Sequence, residues 1–430
     1  MSPSLPTFYH PLELLAAEVL VTTLVIGFTS SRSLLRLAAL PIPGLCAYGV
    51  VTTSRWYMRS HWATIFSGFA GAFALQYLEL ALLSQWSFED DLKNKCVSGQ
   101  SNSLIANGKA VVSDDKRAKG NVVGTTKGEK QGDLLERFKF GYYSTFSFRS
   151  VNTPSEVRNT PAFPNNEVPD KHNFLTSQYL ILLACILTVD ISAFLFTPSN
   201  PSVLFAQDKI PVFSRLEALK RDEIVLRVVS TAVYWVNMHA IAQVVTSLAA
   251  VVAIECKLGE IKEWRPLYGP VSSAYSLRGF WGNFWPQTLR QILTHPATCI
   301  AQDIFGMHKH NLVAHLIKLL IPFATSGVLY MFADLGGGLP LEQSGSLRFF
   351  LTQVIGIVIE DTVKGMVSSS TSVKSEKRFT FLAKILGYMW VASFLVWSTP
   401  MWLYPVAGQG LQAPFLPWSL VTWMVKYIKT

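Results

Sequence analysis

Long apolar stretches with few charged residues recur along this chain, and they limit its possible folds more than any other feature. A helix needs about 20 consecutive apolar residues to cross a bilayer, and only helices and closed barrels satisfy their backbone groups there. Stretches of about this length are 11–29, 33–53, 62–84, 175–197, 225–254, 312–332, 349–367 and 382–404. A further stretch, 416–428, is short enough to lie in the interface. The sequence therefore predicts an all-α integral membrane protein, a polytopic bundle of about eight transmembrane helices (seven to nine).

The composition supports this class and argues against others. Half of the residues are hydrophobic and 15% are charged, compared with about 25% charged residues in a typical soluble domain. The net charge of +9 comes from Lys and Arg clusters in loops, and no stripe of basic and aromatic residues indicates a nucleic-acid partner. The 5 cysteines are widely spaced without a Cys-x-x-Cys pair, so we expect neither a disulfide framework nor a metal site.

Composition also divides the chain into three segments. Residues 1–85 are predicted to form N-terminal transmembrane helices, and 174–430 the main membrane domain. Between them, 86–173 is polar and rich in Lys and Arg, which predicts a long cytoplasmic loop. Within this loop, 98–132 is rich in Ser, Asn, Gly, Lys and Asp and is predicted to be disordered. Near the N-terminus, Pro41 is expected to kink or split a helix.

One polar segment between apolar stretches is unusually rich in Trp, Phe and Arg. We refer to residues 264–290 as the signature loop. Indole and guanidinium groups settle at the headgroup level of a membrane, so the loop is predicted to be interfacial. A guanidinium group suits phosphate, and indole rings can shape a passage for an amphiphile. The candidate substrate-binding residues here are Arg278, Phe280, Trp281, Gly282, Trp285, Gln287 and Arg290. A simpler interpretation is that the loop anchors the protein at the membrane interface, with Arg278 and Arg290 reaching lipid phosphates.

The order Arg-x-Phe-Trp-Gly-x-x-Trp-x-Gln-x-x-Arg in this loop resembles the fungal wax synthase-like family of membrane-bound O-acyltransferases. Residues 323–327 and 353–360 are also similar to that family. The resemblance implies transfer of an acetyl or acyl group from coenzyme A to a hydroxyl of a lipophilic terpenoid or polyketide, in the endoplasmic reticulum membrane. It implies acetyl-CoA or acyl-CoA as co-substrate, no bound cofactor, and the bilayer and a lipophilic alcohol as partners.

Such a transfer needs a base for the hydroxyl proton and donors for the developing oxyanion. The resemblance implies a histidine after a Phe-x-x-Ser-Gly-x-x pattern, but here Phe323, Ser326 and Gly327 are followed by Tyr330. At a second position where the family commonly has histidine, this chain has Pro286. A phenol, with a pKa near 10, is a poor base at neutral pH but can donate a hydrogen bond to an oxyanion. Tyr330 is therefore a catalytic candidate and Ser326 a substrate-binding candidate.

Two histidines are further candidates for the base. His315 lies about 16 Å of helical rise before Ser326, and it is either a replacement base or a histidine at the membrane surface. His239 lies deep in an apolar stretch beside Asn237. An ionisable group at such depth is either a base or a hydrogen-bond partner between helices.

Acidic residues inside the apolar stretches form the last group of candidates. Glu360 and Asp361 are adjacent and are read either as proton donors or as a helix-end ion pair with Lys364. Asp190 and Glu79 are single acids, expected to pair between helices or to line a cavity. Because the expected histidines are replaced, an alternative is the same scaffold with altered chemistry, a membrane-embedded terpenoid cyclase or isomerase that uses acids, or an inactive relative.

Overall fold

The computed structural model describes residues 9–92, 127–153, 155–308, 311–370, 377–410 and 419–429. Most of the segment predicted to be disordered, 98–132, falls outside these residues. Within them the chain is helical and has no strand. Its helices are α1 (Pro11–Phe28), α2 (Leu34–Ala39), α3 (Pro41–Tyr57), α4 (Ser60–Leu78), α5 (Lys127–Phe146), α6 (Lys171–Phe196), α7 (Arg221–Glu255), α8 (Arg290–Cys299), α9 (Leu312–Gly337), α10 (Ser346–Ser370), α11 (Lys377–Ser398), α12 (Pro400–Gly408) and α13 (Leu420–Lys429).

The predicted polytopic helical bundle is confirmed. Of the helical segments described, 7 are long and apolar enough to cross a membrane. They are α1, α2 with α3, α4 with the π-helical turn after it, α6, α7, α9 and most of α11. Helix α10, predicted as a further span, has 25 residues, but Arg348, Glu360 and Asp361 interrupt its apolar sequence. The chain is therefore an integral, multi-pass membrane protein.

Local sequence explains where several helices begin and end. Helix α1 starts at Pro11, where His10 and Glu13 form a reciprocal cap with the first backbone N–H groups. The predicted break at Pro41 is present, since α2 ends at Ala39 and α3 begins at the proline, which has no N–H to continue the earlier helix. Helix α9 ends at Gly337, and the capping residue after it, Gly338, adopts a left-handed conformation with φ of 106°.

Helix α9 lies between α4 and α10, and small residues allow the close approach. Gly71 of α4 faces Leu329, and a Cβ at that glycine would be 2.8 Å from the leucine Cδ2. On the other side, a Cβ at Gly327 would be 2.7 Å from the Leu347 Cα. Small residues commonly line helix contacts in membranes because lipid gives no hydrophobic drive to association. This packing holds α9 against both α4 and α10.

Helix α5 was not predicted from the sequence. It lies in the polar segment 86–173 and crosses α1 closely, because a Cβ at Gly141 would be 2.0 Å from the Thr23 carbonyl oxygen. Its side chains are largely polar outside this crossing, so its sequence resembles a loop. The division into 1–85, 86–173 and 174–430 stays a prediction, and helix contacts run across both boundaries.

Candidate active site

A cavity of about 1220 Å³ lies between α4, α6, α7 and α9, with the signature loop along one side. This exceeds the volume of about 300–1,000 Å³ that is usual for a site holding one small ligand. Along α9 its wall runs from Lys318 to Gly337, positions about 28 Å apart by helical rise. The cavity is therefore long enough for two substrates to meet inside it.

Aromatic side chains form the middle of the cavity wall. The Tyr330 ring stacks on Phe350, with centroids 5.1 Å apart, and meets the edge of Trp402 at 4.8 Å. Tyr234 of α7 approaches Trp402 at 5.5 Å. Both tyrosines border the cavity, and neither phenolic oxygen has a hydrogen-bond partner among the described residues. Two phenols are thus available to a ligand at this point.

Asp334 lies beside these phenols and was missed by the sequence analysis. It is 6% exposed and borders the cavity. Ser344 Oγ donates to its Oδ2 at 2.7 Å, and Trp402 Nε1 donates at 3.2 Å. Tyr234 is close enough to interact electrostatically with both Asp334 and Tyr330. The available signal was an acid four residues after Tyr330 in an apolar stretch, a spacing that places both on one helix face.

Glu360 and Asp361, candidates for proton donors or for a helix-end ion pair, contact the signature loop. Glu360 is buried and accepts hydrogen bonds from the backbone N–H groups of Leu277 (2.5 Å) and Arg278 (3.3 Å), and from the indole of Trp390 (2.9 Å). Asp361 forms an ion pair with the Arg278 side chain. Neither carboxyl borders the cavity. These contacts, and the ion pair of Lys364 with Glu360, agree with the ion-pair interpretation, and the proton-donor role stays a prediction.

The Gln287 side chain forms hydrogen bonds within the signature loop. Its Nε2 donates to the carbonyl oxygens of Trp281 (3.0 Å) and Trp285 (2.5 Å), while its Oε1 accepts from Arg290 at 2.7 Å. Arg290 also donates to the Gly282 carbonyl at 2.9 Å. The side chain of Gln287 is therefore fully engaged, although the residue borders the cavity. These contacts are all within the signature loop, and substrate binding by Gln287 stays a prediction.

The aromatic residues of the signature loop divide between wall and core. Trp281 and Trp285 border the cavity, and Trp281 Nε1 donates to Gln353 Oε1 at 3.3 Å. Phe280 is buried behind them and packs on Trp235, so it does not border the cavity. Phe280 and Trp281 lie on a π-helical turn, Phe280–Phe284, and Trp285 follows it directly. Such turns are rare and are frequent at functional sites.

Gly282, a substrate-binding candidate, has room for a side chain. No atom lies within 4 Å of a Cβ built at this residue. The close approach is at Gly279, where a Cβ would be 2.0 Å from the Ser273 carbonyl oxygen. Only glycine fits there without moving the backbone of the loop.

Cationic side chains lie at the signature-loop end of the cavity. Arg278, Arg290 and Lys318 border it. Burial, and then the charge of nearby Arg158, lower the pKa of Arg290. Lys318 and Arg158 have no acidic partner in the described parts of the chain. Neighbouring cations without acids favour an anion, and phosphate oxygens match the donor geometry of guanidinium groups.

The two candidate histidines lie away from the cavity. His315 is exposed near the start of α9, and His239 stacks on Tyr268 with ring centroids 3.8 Å apart. Of the histidines in the described ranges, only His61 of α4 borders the cavity. Ser326 borders it too, but its hydroxyl donates to the Pro322 carbonyl at 2.8 Å.

Glu79 and His295 form a second polar cluster, outside the cavity wall. Glu79 is 1% exposed in the turn after α4, and its oxygens lie 2.7 and 2.9 Å from His295 Nδ1. Gln291 and Ser84 also donate to Glu79 Oε1, at 3.2 and 2.5 Å. The expectation that Glu79 pairs between helices is confirmed, because this contact joins α4 to α8.

We expect Glu79→Ala to lower the free energy of unfolding by about 2–4 kcal/mol, because three buried or half-buried donors lose their acceptor. The measurement is the unfolding midpoint of the protein in detergent. Glu255→Ala is the matched control, since Glu255 pairs with Lys171 on the surface, where an ion pair contributes about 0–1 kcal/mol. Equal midpoints for the two variants would contradict the bracing role of Glu79.

Known proteins similar to this chain agree with the geometry. The model of the membrane bound O-acyl transferase family matches residues 264–352, which include the signature loop, Tyr330 and Asp334. The acetyltransferase fsoF of Humicola fuscoatra is 30% identical over 94% of this chain and 98% of its own length. The acetyltransferase aurG of Calcarisporium arbuscula is 29% identical over 93% and 94% of the two chains. The chain therefore belongs to the membrane-bound O-acyltransferases and is an O-acyltransferase enzyme.

Proposed function

We propose that this enzyme transfers an acetyl or other acyl group from acyl-CoA to a hydroxyl of a lipophilic terpenoid or polyketide. The observation that carries the proposal is a continuous cavity, which joins a cationic end at Arg290 and Lys318 to the phenols and carboxyl at Tyr330 and Asp334. The similar proteins named acetyltransferases in fungi support this donor and a role in secondary metabolism. The endoplasmic reticulum membrane is the proposed location.

The donor would bind with its phosphates at the cationic end. Arg290 and Lys318 supply N–H donors there, and the apolar wall between them and Tyr330 excludes water. Lys318 and Tyr330 are about 18 Å apart by helical rise, a span that the extended pantetheine arm of coenzyme A can cover. The thioester would then lie beside the aromatic wall, and water exclusion would protect it from hydrolysis.

Asp334 is the proposed general base. Its carboxylate would take the proton of the acceptor hydroxyl as the oxygen attacks the thioester carbonyl carbon. The Tyr330 and Tyr234 phenols would donate hydrogen bonds to the oxyanion that forms. The carbon–sulfur bond then breaks, and the proton held by Asp334 passes to the leaving thiolate, which yields the ester and free coenzyme A. Ser344 and Trp402 orient the carboxylate throughout.

The cyclase or isomerase alternative has one observation in its favour. A buried acid beside aromatic rings also suits protonation of an isoprenoid and stabilisation of a cation. That chemistry, however, leaves the cationic end of the cavity at Arg290 and Lys318 without a ligand. It also differs from the activity in the names of the similar proteins. Acyl transfer accounts for both ends of the cavity.

The experiment is incubation of membranes containing this enzyme with radiolabelled acetyl-CoA and a panel of terpenoid and polyketide alcohols. We expect an organic-soluble labelled ester with at least one acceptor, and none from membranes without the protein. No labelled ester from any acceptor, together with cyclisation of a polyene in the absence of coenzyme A, would favour the alternative. Longer acyl-CoA donors in parallel reactions would define the acyl group.

We expect Tyr330→Phe to lower kcat by about 10²-fold, because removal of one oxyanion donor typically costs 10²–10³-fold. The KM for acetyl-CoA should change little, since the phenol lies away from the cationic end of the cavity. Tyr179→Phe removes an exposed phenol of α6 and is the matched control. Native turnover in Tyr330→Phe would show that this hydroxyl is dispensable.

A further inference from the structure

An amide side chain in the cavity wall has no role in the chemistry described above. Asn237 lies near the middle of α7, among apolar wall residues such as Val233 and Ile241. Its carboxamide oxygen is 2.7 Å from Ser192 Oγ of α6. Ser192 also borders the cavity. These two polar side chains, the Asn237–Ser192 pair, lie in an otherwise apolar part of the wall.

The Asn237–Ser192 pair does not use all of its hydrogen-bonding groups. The Ser192 hydroxyl has one proton and also lies 2.9 Å from the Val189 carbonyl oxygen, which accepts it. Asn237 can present either its oxygen or its NH₂ group to the serine, because the two ends of an amide have nearly the same shape. In either orientation the other end has no partner within the described ranges. Asn237 is half-buried and borders the cavity, so a ligand there is a suitable partner for the open end of its amide.

The position of Asn237 on α7 brings the Asn237–Ser192 pair close to the proposed reacting centre at Asp334. Tyr234 lies three residues earlier on the same face of α7, at the spacing of neighbouring side chains on a helix. Tyr234 in turn contacts Trp402, which also contacts Tyr330 and donates a hydrogen bond to Asp334. A molecule whose hydroxyl reaches Asp334 would therefore extend past Asn237 within one turn of helix.

We propose that Asn237, oriented by Ser192, binds a second oxygen of the acceptor. The inference rests on the proposed function and names its substrate class: a lipophilic diol or hydroxy ketone, not a mono-alcohol. A hydroxyl both donates and accepts, so it matches either orientation of the amide, and a carbonyl matches the NH₂ end. A skeleton held at two oxygens presents only one hydroxyl to Asp334. Asn237 thus determines which hydroxyl is acylated.

The test compares a dioxygenated acceptor, taken from those esterified in the acetyl-CoA assay, with its analogue that lacks the second oxygen. The native enzyme should prefer the dioxygenated acceptor by about 10–100-fold in kcat/KM, because one polar group of the site loses its hydrogen-bond partner when the second oxygen is missing. In Asn237→Leu this ratio should fall to about one, mainly through KM. A diol should then give both mono-esters, as product analysis would show.

Ser192→Ala tests the same pair with a smaller change. It should lower the ratio of the two kcat/KM values by a smaller factor than Asn237→Leu does. Thr188→Val is the matched control on α6, because its exposed hydroxyl bonds only to the Ala184 carbonyl of its own helix. This inference alone would be overturned if Asn237→Leu and Ser192→Ala both form ester with the native ratio of kcat/KM values and the native product. No ester from the native enzyme would overturn the proposed function and this inference with it.

Discussion

Replacement of Asp334 by asparagine is expected to reduce acyl transfer by about 10²–10⁴-fold, the usual contribution of a general base. Asparagine has the same shape, and its oxygen can still accept the hydrogen bonds from Ser344 and Trp402. It cannot take the hydroxyl proton. The loss should therefore appear in kcat, while the unfolding midpoint in detergent and the binding of coenzyme A stay close to native.

The measurement is kcat and KM for acetyl-CoA and the acceptor, normalised to the amount of protein in the membrane. Glu342→Gln is the matched control, since it makes the same kind of change at an exposed acid just after α9. Asp334→Glu should restore part of the activity, because it returns a carboxyl group to the site. Turnover above a tenth of native in Asp334→Asn would exclude Asp334 as the base and direct attention to His61.

Loss of the Glu360 carboxyl is the second large expected effect. Glu360→Ala leaves the buried N–H group of Leu277 and the half-buried N–H groups of Arg278 and Trp390 without their acceptor. An unsatisfied buried donor costs about 1–3 kcal/mol, so we expect a total loss of about 3–5 kcal/mol in the free energy of unfolding. The signature loop should also lose its position, and acyl transfer should fall with it.

Unfolding in detergent and the acetyl-CoA assay, measured on the same preparation, test this expectation. Asp361→Asn is the neighbouring comparison. Its partner Arg278 is 43% exposed, and the pair lies near the surface, so its contribution to stability is about 0–1 kcal/mol. A catalytic acid would behave differently from a loop anchor: activity would fall at native stability. That outcome in Glu360→Ala would return Glu360 to the catalytic candidates.

Much of the architecture was accessible from local sequence. The length of each apolar stretch sets the helix that can cross a bilayer, so the spans within α6, α7 and α9 were predicted close to their observed ranges. Pro41 breaks a helix through its own missing N–H group, which needs no tertiary information. The order of residues in the signature loop indicated the family. Helix α5 was missed because its polar sequence lacks the pattern of a membrane span.

The roles of the candidate residues could not be predicted in the same way, because they depend on contacts between distant parts of the chain. Glu360 looks like a free acid until the Leu277 and Arg278 backbone is brought against it. Asp334 gains its importance from the phenols of Tyr330 and Tyr234, which belong to different helices. The sequence by itself thus determined that this protein is a helical membrane protein of a recognisable family, because hydropathy and residue order are local properties. Only the tertiary structure decided which polar groups face the cavity, because burial and hydrogen-bond partners depend on how the helices pack.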